Sequence, residues 1–355
     1  MTPELCFAIP GDIASLTGGY AYDRRLIEEL GHMGWPVRHL PWGSSFPFPD
    51  VGDLATAARS LARWRDGSLV MIDGLAYGAL PELAEAEGRR LRLIALVHHP
   101  LAVETDLSPA KAALLFRSER RALSMASAVI VTSHTTAERL IEDYSVPRER
   151  LAVALPGSDP AMQASDAAAS GGMVNLLSIA TVTHRKGHDL LVEALARLAD
   201  LSWTCNIIGS LDRSPEFATK VRCQIAAHGL DRRVHLLGSM PDLSSFYERA
   251  DIFVLASRYE GYGMVFAEAL RHGLPVIATT AGAIPEAVPP TAGLLVPPED
   301  VAAISAALRR LILDPIERGG YSAGARAAAA LLPSWRETAI HVAEVLRRVA
   351  GMNPA

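Results

Sequence analysis

The sequence predicts an α/β protein of two domains, each a parallel sheet flanked by helices, the two facing one another across a cleft. Three observations carry that expectation. The chain has 355 residues, more than one hydrophobic core usually organises. Short β-branched or Leu-rich runs alternate with Ala-rich segments of helical period in both halves, the pattern of repeated βαβ units. Between the halves lies PGSDPAMQASDAAASGG (156–172), small, polar and without periodicity, the composition of a linker.

In the first half, strands are expected at about 4–9, 69–73, 92–97 and 128–132, with helices such as 20–33 and 111–125 between them. In the second, NLLSIA (175–180), TCNIIG (204–209), VHLLG (234–238), IFVLA (252–256), PVIAT (275–279) and GLLV (293–296) form the strands. Each run ends in Gly, Ser, Thr, His or Pro, as Rossmann-like sheets do where strands give way to loops. The domains are accordingly placed at 1–160 and 173–333, with a linker at 161–172 and a terminal helix and tail at 334–355, the helix free to return to the first domain. That helix opens on Ser334 with Glu337 three residues later, the spacing of a capping box.

Composition narrows the function. Half of the residues are hydrophobic, and the formal net charge is only -5, so no bulk attraction to nucleic acid is implied. Cys6, Cys205 and Cys223 show no metal-ligand spacing and read as buried apolar residues in a reducing compartment. MTPELCFAIPGD has neither a basic start nor a long apolar core, which points to the cytoplasm. A helix at 111–124 with apolar and basic residues leaves peripheral contact with the inner membrane face open, although a packed helix with a solvated basic edge is the ordinary reading.

Ligands of open parallel sheets bind beyond the carboxyl ends of strands. The segment after the 252–256 strand is SRYEGYGMVFAEALRHGLP (257–275). Gly261, Tyr262, Gly263 and Met264 lead into a helix, and the glycines let backbone amides and a positive helix end approach a diphosphate. Glu268, inside that helix, can accept two ribose hydroxyls, while Glu260 can reach the hydroxyls of a sugar. Were all eight steps helical, the two Cα atoms would stand roughly 12 Å apart, the scale of a nucleotide sugar.

EGYGMVFAEALRHGLPVIAT, followed by AGAIPEAV (281–288) and AGLLVPPED (292–300), resembles the E-x7-E region of the retaining family 4 glycosyltransferases, whose fold is GT-B. TVTHRKGHDLLVEALARL (181–198), LLGSMPDLSSFYERADIFVLAS (236–257) and SAVIVTSHTTAERL (127–140) extend the resemblance over nearly the whole chain. It implies transfer of a hexose from a nucleoside diphosphate sugar to a hydroxyl acceptor, whether saccharide, lipid or small molecule, with retained anomeric configuration. It implies Lys186 as the cation that meets the leaving diphosphate, Gly18 and Gly19 as a turn whose amides touch the phosphates, and a first-domain histidine on the transferred sugar. His98 is assigned that role, with His99 in reserve. The chain departs from the family where Gly-Arg usually precedes the lysine and Ala180-Thr181 stands here. Arg185 is the neighbour able to substitute, against the tendency of adjacent turn residues to diverge.

No Asp-x-Asp occurs, so the acidic pair that holds a divalent cation in the other common glycosyltransferase architecture is missing and no metal or other cofactor is expected. HExxH, P-loop and GxSxG patterns are absent as well, against hydrolase and kinase readings. The rivals are a nucleotide-sugar epimerase of similar fold, a non-catalytic nucleotide-sugar binding protein and, third, a nicotinamide dehydrogenase without its fingerprint.

Overall fold

A computed structural model describes residues 2–104, 107–159 and 172–352. The chain divides into two units, Met1–Gly157 with Pro333–Ala355, and Ser158–Leu332. Residues 161–171 of the expected linker lie outside the described residues.

The first unit runs β1 (Leu5–Pro10), α1 (Gly18–His32), β2 (Val37–Trp42), α2 (Val51–Leu61), β3 (Leu69–Asp73), α3 (Gly74–Tyr77), α4 (Pro81–Glu87), β4 (Arg92–Val97), α5 (Pro109–Ser124), β5 (Ala128–Val131), α6 (His134–Glu142) and β6 (Leu151–Val153). The sheet is parallel throughout, in the order β2-β1-β3-β4-β5-β6. All six residues of β1 are buried, as a strand covered on both faces requires. The order reverses between β1 and β3, which puts a crevice at their carboxyl ends.

The second unit runs β7 (Val174–Ile179), α7 (His188–Ala196), β8 (Trp203–Ile208), α8 (Pro215–Ala227), β9 (Val234–Gly238), α9 (Ser244–Arg249), β10 (Ile252–Leu255), α10 (Met264–Arg271), β11 (Val276–Thr279), α11 (Ile284–Ala287), β12 (Gly293–Val296), α12 (Val301–Leu313) and α13 (Pro315–Ala329). Its parallel sheet is ordered β12-β11-β10-β7-β8-β9, so the reversal falls between β7 and β10. Leu191, Leu195, Leu308 and Leu311 are wholly buried in its core, each contributing about 1.5–3 kcal/mol of apolar burial.

The last helix, α14 (Trp335–Ala350), belongs to the first unit and forms both halves of its capping box, between Ser334 and Glu337. Trp335 meets Tyr22 of α1 edge-on at 5.6 Å, and the Thr338 hydroxyl donates to the Leu155 carbonyl at 2.7 Å. A Cβ on Gly157 would come within 2.4 Å of the Trp335 backbone, so only glycine allows this seat.

Three expectations need correction. β2 and β6 are missing from the sequence reading because both are edge strands: β2 is half-exposed and carries Pro41, and β6 has three residues, while Pro is admitted at edges. Helix α1 begins at Gly18, so Gly18 and Gly19 form its first turn instead of preceding it. Cys223 is exposed, because α8 buries Phe217, Ala218, Val221 and Ile225 and turns position 223 to solvent.

Candidate functional site

In the second unit, the residues after β7 and β10 meet at the sheet's reversal. Residues His184–Lys186 make one 3₁₀ turn, and Gly187 enters α7 in the left-handed region at φ +67°. A Cβ there would stand 1.9 Å from the Ala256 carbonyl oxygen, so glycine lets this turn press against the end of β10. The Arg258 amide donates to the Arg185 carbonyl at 2.7 Å. Its guanidinium donates to the His184 carbonyl at 2.6 Å and to both Asp189 oxygens at 2.8 and 3.2 Å, and pairs with Glu299. The planar fork thus fixes the turn to its neighbour.

On that turn the Lys186 ammonium donates to both oxygens of Glu260, at 2.6 and 2.9 Å. Arg185 donates to the Tyr259 carbonyl at 3.1 Å and to Glu260 Oε2 at 3.4 Å. The Ser257 hydroxyl adds a third donor to Glu260, at 2.7 Å. Glu260 is only 4% exposed. Burial would raise its pKa, but the charges of Lys186 and Arg185 outweigh burial and hold the carboxyl below the usual range. The expectation that Arg185 and Lys186 diverge is overturned: both side chains converge on one carboxylate, since the tight turn folds them to the same side. Two cationic side chains brought to one carboxylate on a tight turn form a pair of donors suited to a phosphate.

Gly261 and Tyr262 are buried in the turn, and Gly263 enters α10 at φ +89°. No side chain caps α10, and the Phe266 amide already donates to the Gly263 carbonyl at 2.9 Å, so the Met264 and Val265 amides and the positive helix end are what the helix start offers a ligand or water. Because α10 starts only at Met264, just the last part of the Glu260–Glu268 span is helical, and the roughly 12 Å all-helix separation does not describe it. One oxygen of Glu268 already accepts the Tyr247 hydroxyl at 2.8 Å, which orients the carboxylate and leaves its other oxygen able to accept further hydroxyls. Burial raises the Glu268 pKa, and the Tyr247 hydrogen bond opposes it. Tyr247 in turn lies flat on His272, centroids 4.5 Å apart.

The first unit gathers a different cluster at its own sheet reversal. His98 follows β4, and its Nε2 lies 3.2 Å from Asp23 Oδ1 and 3.3 Å from Asp73 Oδ2. Asp23 comes from α1 and Asp73 from the end of β3, where its other oxygen accepts the Leu75 amide at 2.8 Å. A Cβ on Gly19 would touch the His98 ring at 3.4 Å. His99 instead bonds Glu104 at 2.8 Å. Burial alone would lower the His98 pKa; the two carboxylates overcome burial and hold it well above the usual range.

Asp23, Asp73, Arg258 and Tyr247 are functional neighbours that sequence reasoning does not single out. Asp73 carries a signal, a lone acid at the carboxyl end of LVMID, the position that identifies His98. Asp23 carries a weaker one: it shares the buried face of α1 with Tyr22, Leu26 and Leu30, an acid where the period calls for an apolar residue.

Known proteins resemble both units. Residues 168–328 match the family described as "Glycosyl transferases group 1", and residues 12–157 match "Glycosyl transferase 4-like domain". The chain is 27% identical to the MMP alpha-(1->4)-mannosyltransferase of Mycolicibacterium hassiacum over 86% of its own length and 77% of that protein. It is 31% identical to the D-inositol 3-phosphate glycosyltransferase of an Arthrobacter species, over 57% of this chain and 51% of that one, so about half of that relative's length is spanned. Its fold is similar to that of sucrose-phosphate synthase from Thermosynechococcus elongatus, with a TM-score of 0.82 at 21% identity over 98% and 99% of the two chains. A similar fold is found in Anabaena HepE in complex with UDP-glucose, TM-score 0.75 at 18% identity over 97% and 99%. Among the described residues no helix is long and apolar enough to cross a membrane.

Proposed function

The chain belongs to the GT-B glycosyltransferases of family 4, and from that premise we propose that it moves a hexose from a nucleoside diphosphate sugar to a hydroxyl acceptor, with retention and without a metal. The observation that carries the donor class is the pair Arg185 and Lys186 closing on Glu260 beside the uncapped start of α10. This cationic turn is built for a diphosphate, the group on which negative charge grows as the glycosidic bond breaks. Lys186 meets that charge, Arg185 is the second cation, and Met264 and Val265 offer amides. Glu260 orders the cations and reaches a sugar hydroxyl; Glu268 holds the ribose through its remaining oxygen. The UDP-glucose complex of HepE, similar in fold, supports a nucleotide sugar as donor, and the mannosyltransferase relative supports a hexose as the group transferred.

In the first unit, His98 is assigned to the transferred sugar and the amides of Gly18 and Gly19 to the donor phosphates, as the family pattern implies. Retention by double displacement would need a carboxylate nucleophile. Asp23 and Asp73 are turned onto His98 and are 0% and 4% exposed, so neither is offered to an anomeric carbon. A front-face substitution, with the departing phosphate taking the acceptor proton, fits this arrangement.

The test is an assay of the full chain with a panel of nucleotide sugars and hydroxyl acceptors in EDTA, products read by NMR. Transfer with retained configuration is expected. Inverted product, or activity that needs an added divalent cation, contradicts the respective part, and an epimer formed from donor alone would establish the epimerase reading instead.

A further inference from the structure

The cluster around His98 goes beyond a histidine that meets a sugar. Its ring is held through one nitrogen by two carboxylates that reach it from separate elements, Asp23 on α1 and Asp73 at the end of β3. Both acids are buried, and each is itself fixed: Asp73 by the Leu75 amide, Asp23 by its place on the packed face of α1. The ring is also fixed from its flank, where Tyr22 stands edge-on at 5.3 Å, and through its backbone, whose carbonyl accepts the Thr132 hydroxyl at 3.2 Å. The titratable groups facing the ring are therefore Asp23 and Tyr22 from α1 and Asp73 from β3. Tyr22 stays neutral and donates its hydroxyl to the Ala154 carbonyl at 3.0 Å.

We infer that Asp23 and Asp73 are positioning residues for His98: they close on Nε2, lock the ring, and leave Nδ1–H as the donor it presents to a hydroxyl oxygen of the transferred sugar. Burial, with Asp73 beside it, pushes Asp23 up to about 6 against the pull of His98, so above that pH both partners are negative, and two negative partners on one nitrogen demand a proton there. With a single proton a neutral imidazole would then carry a bare, accepting Nδ1. As an imidazolium the ring donates from Nδ1 as well, and the carboxylates are what keep it so across the neutral range. His98 therefore acts as a fixed hydrogen-bond donor and not as a base, since its proton is not released near neutrality. The role on sugar rests on the transferase reading; the state of the ring does not.

Two measurements separate the inference from that reading. Histidine labelled with 15N in the full chain, assigned by comparison with His98→Gln, reports both ring nitrogens without any ligand. The wild-type ring is expected to remain doubly protonated at pH 8.5. In the Asp23→Asn, Asp73→Asn double variant it should lose a proton below neutrality or close to it, as a histidine with an ordinary pKa of about 6.5 or lower does. A wild-type ring that is neutral at pH 8.5, or a double variant that titrates like wild type, overturns the inference. Should the double variant fail to fold, the wild-type spectrum decides alone. The second measurement is kcat/KM with the established donor, relative to wild type at each pH. It should fall by up to about a hundredfold between pH 6 and pH 8.5 in the double variant, because two pH units above an ordinary pKa of about 6.5 only about one ring in a hundred keeps its second proton. A loss equal at every pH would mean a merely structural role and overturn the positioning role. If wild type transfers no sugar from any donor, the transferase reading fails while the ring spectrum still settles the state of His98.

Discussion

Two clusters of opposite construction stand at the two sheet reversals. In the Ser158–Leu332 unit, Arg185 and Lys186 close on the single carboxylate of Glu260. In the other unit, Asp23 and Asp73 close on the single imidazole of His98. Each buries an ion cluster that would be costly if any member were missing, yet among the named members one has two cations to one acid and the other two acids to one imidazole. That make-up decides what each can hold. A pair of cations favours an anion whose charge grows during reaction, whereas acids that spend themselves on an imidazole offer no anion site of their own and turn the ring into a directed donor.

Removing one cation of the pair is the severest challenge to this contrast. Lys186→Ala should lower kcat by roughly a hundredfold to a thousandfold, the scale seen when a group aimed at developing charge is removed, in a protein that still folds but with a lowered thermal transition, because buried Glu260 loses its principal partner. A variant that keeps wild-type kcat would deny the second-unit cluster its role in the leaving step. A milder change probes the same side. Tyr247→Phe frees the Glu268 oxygen now held by the tyrosine hydroxyl and should alter the donor KM by about twofold to tenfold, the range of one net hydrogen bond, leaving kcat unchanged; a change confined to kcat would contradict the ribose assignment.

The two clusters also differ in how far the sequence reveals them. Glu260, Gly263 and Glu268 lie in one stretch between a strand and its following helix, so strand, glycines and acids are read together, and Lys186 stands in a comparable turn. The convergence of Arg185 is hidden because adjacent residues on an extended turn point apart, and nothing in the residues announces that His184–Lys186 is a 3₁₀ turn seated on Gly187. In the first unit the partners of His98 come from positions 23 and 73, brought together only by the parallel order β1-β3-β4. Periodicity identifies those strands, since all of them are covered on both faces, but not edge strand β2, whose Pro41 and exposed alternate residues break the apolar run. The return of α14 follows from Gly157 and the capping box together, and only the second is legible in the residues.

Whether the Arg185–Lys186 turn is a diphosphate site, on which the donor assignment depends, is decided by calorimetry of nucleosides and nucleoside diphosphates against wild type and Lys186→Ala. Wild type should bind a diphosphate at least about tenfold more tightly than its nucleoside, the variant should lose most of that difference, and a charge-assisted contact of about 1.5–3 kcal/mol sets the scale. Equal binding of nucleoside and diphosphate by wild type, or a preference for the diphosphate that survives the loss of Lys186 undiminished, would contradict it.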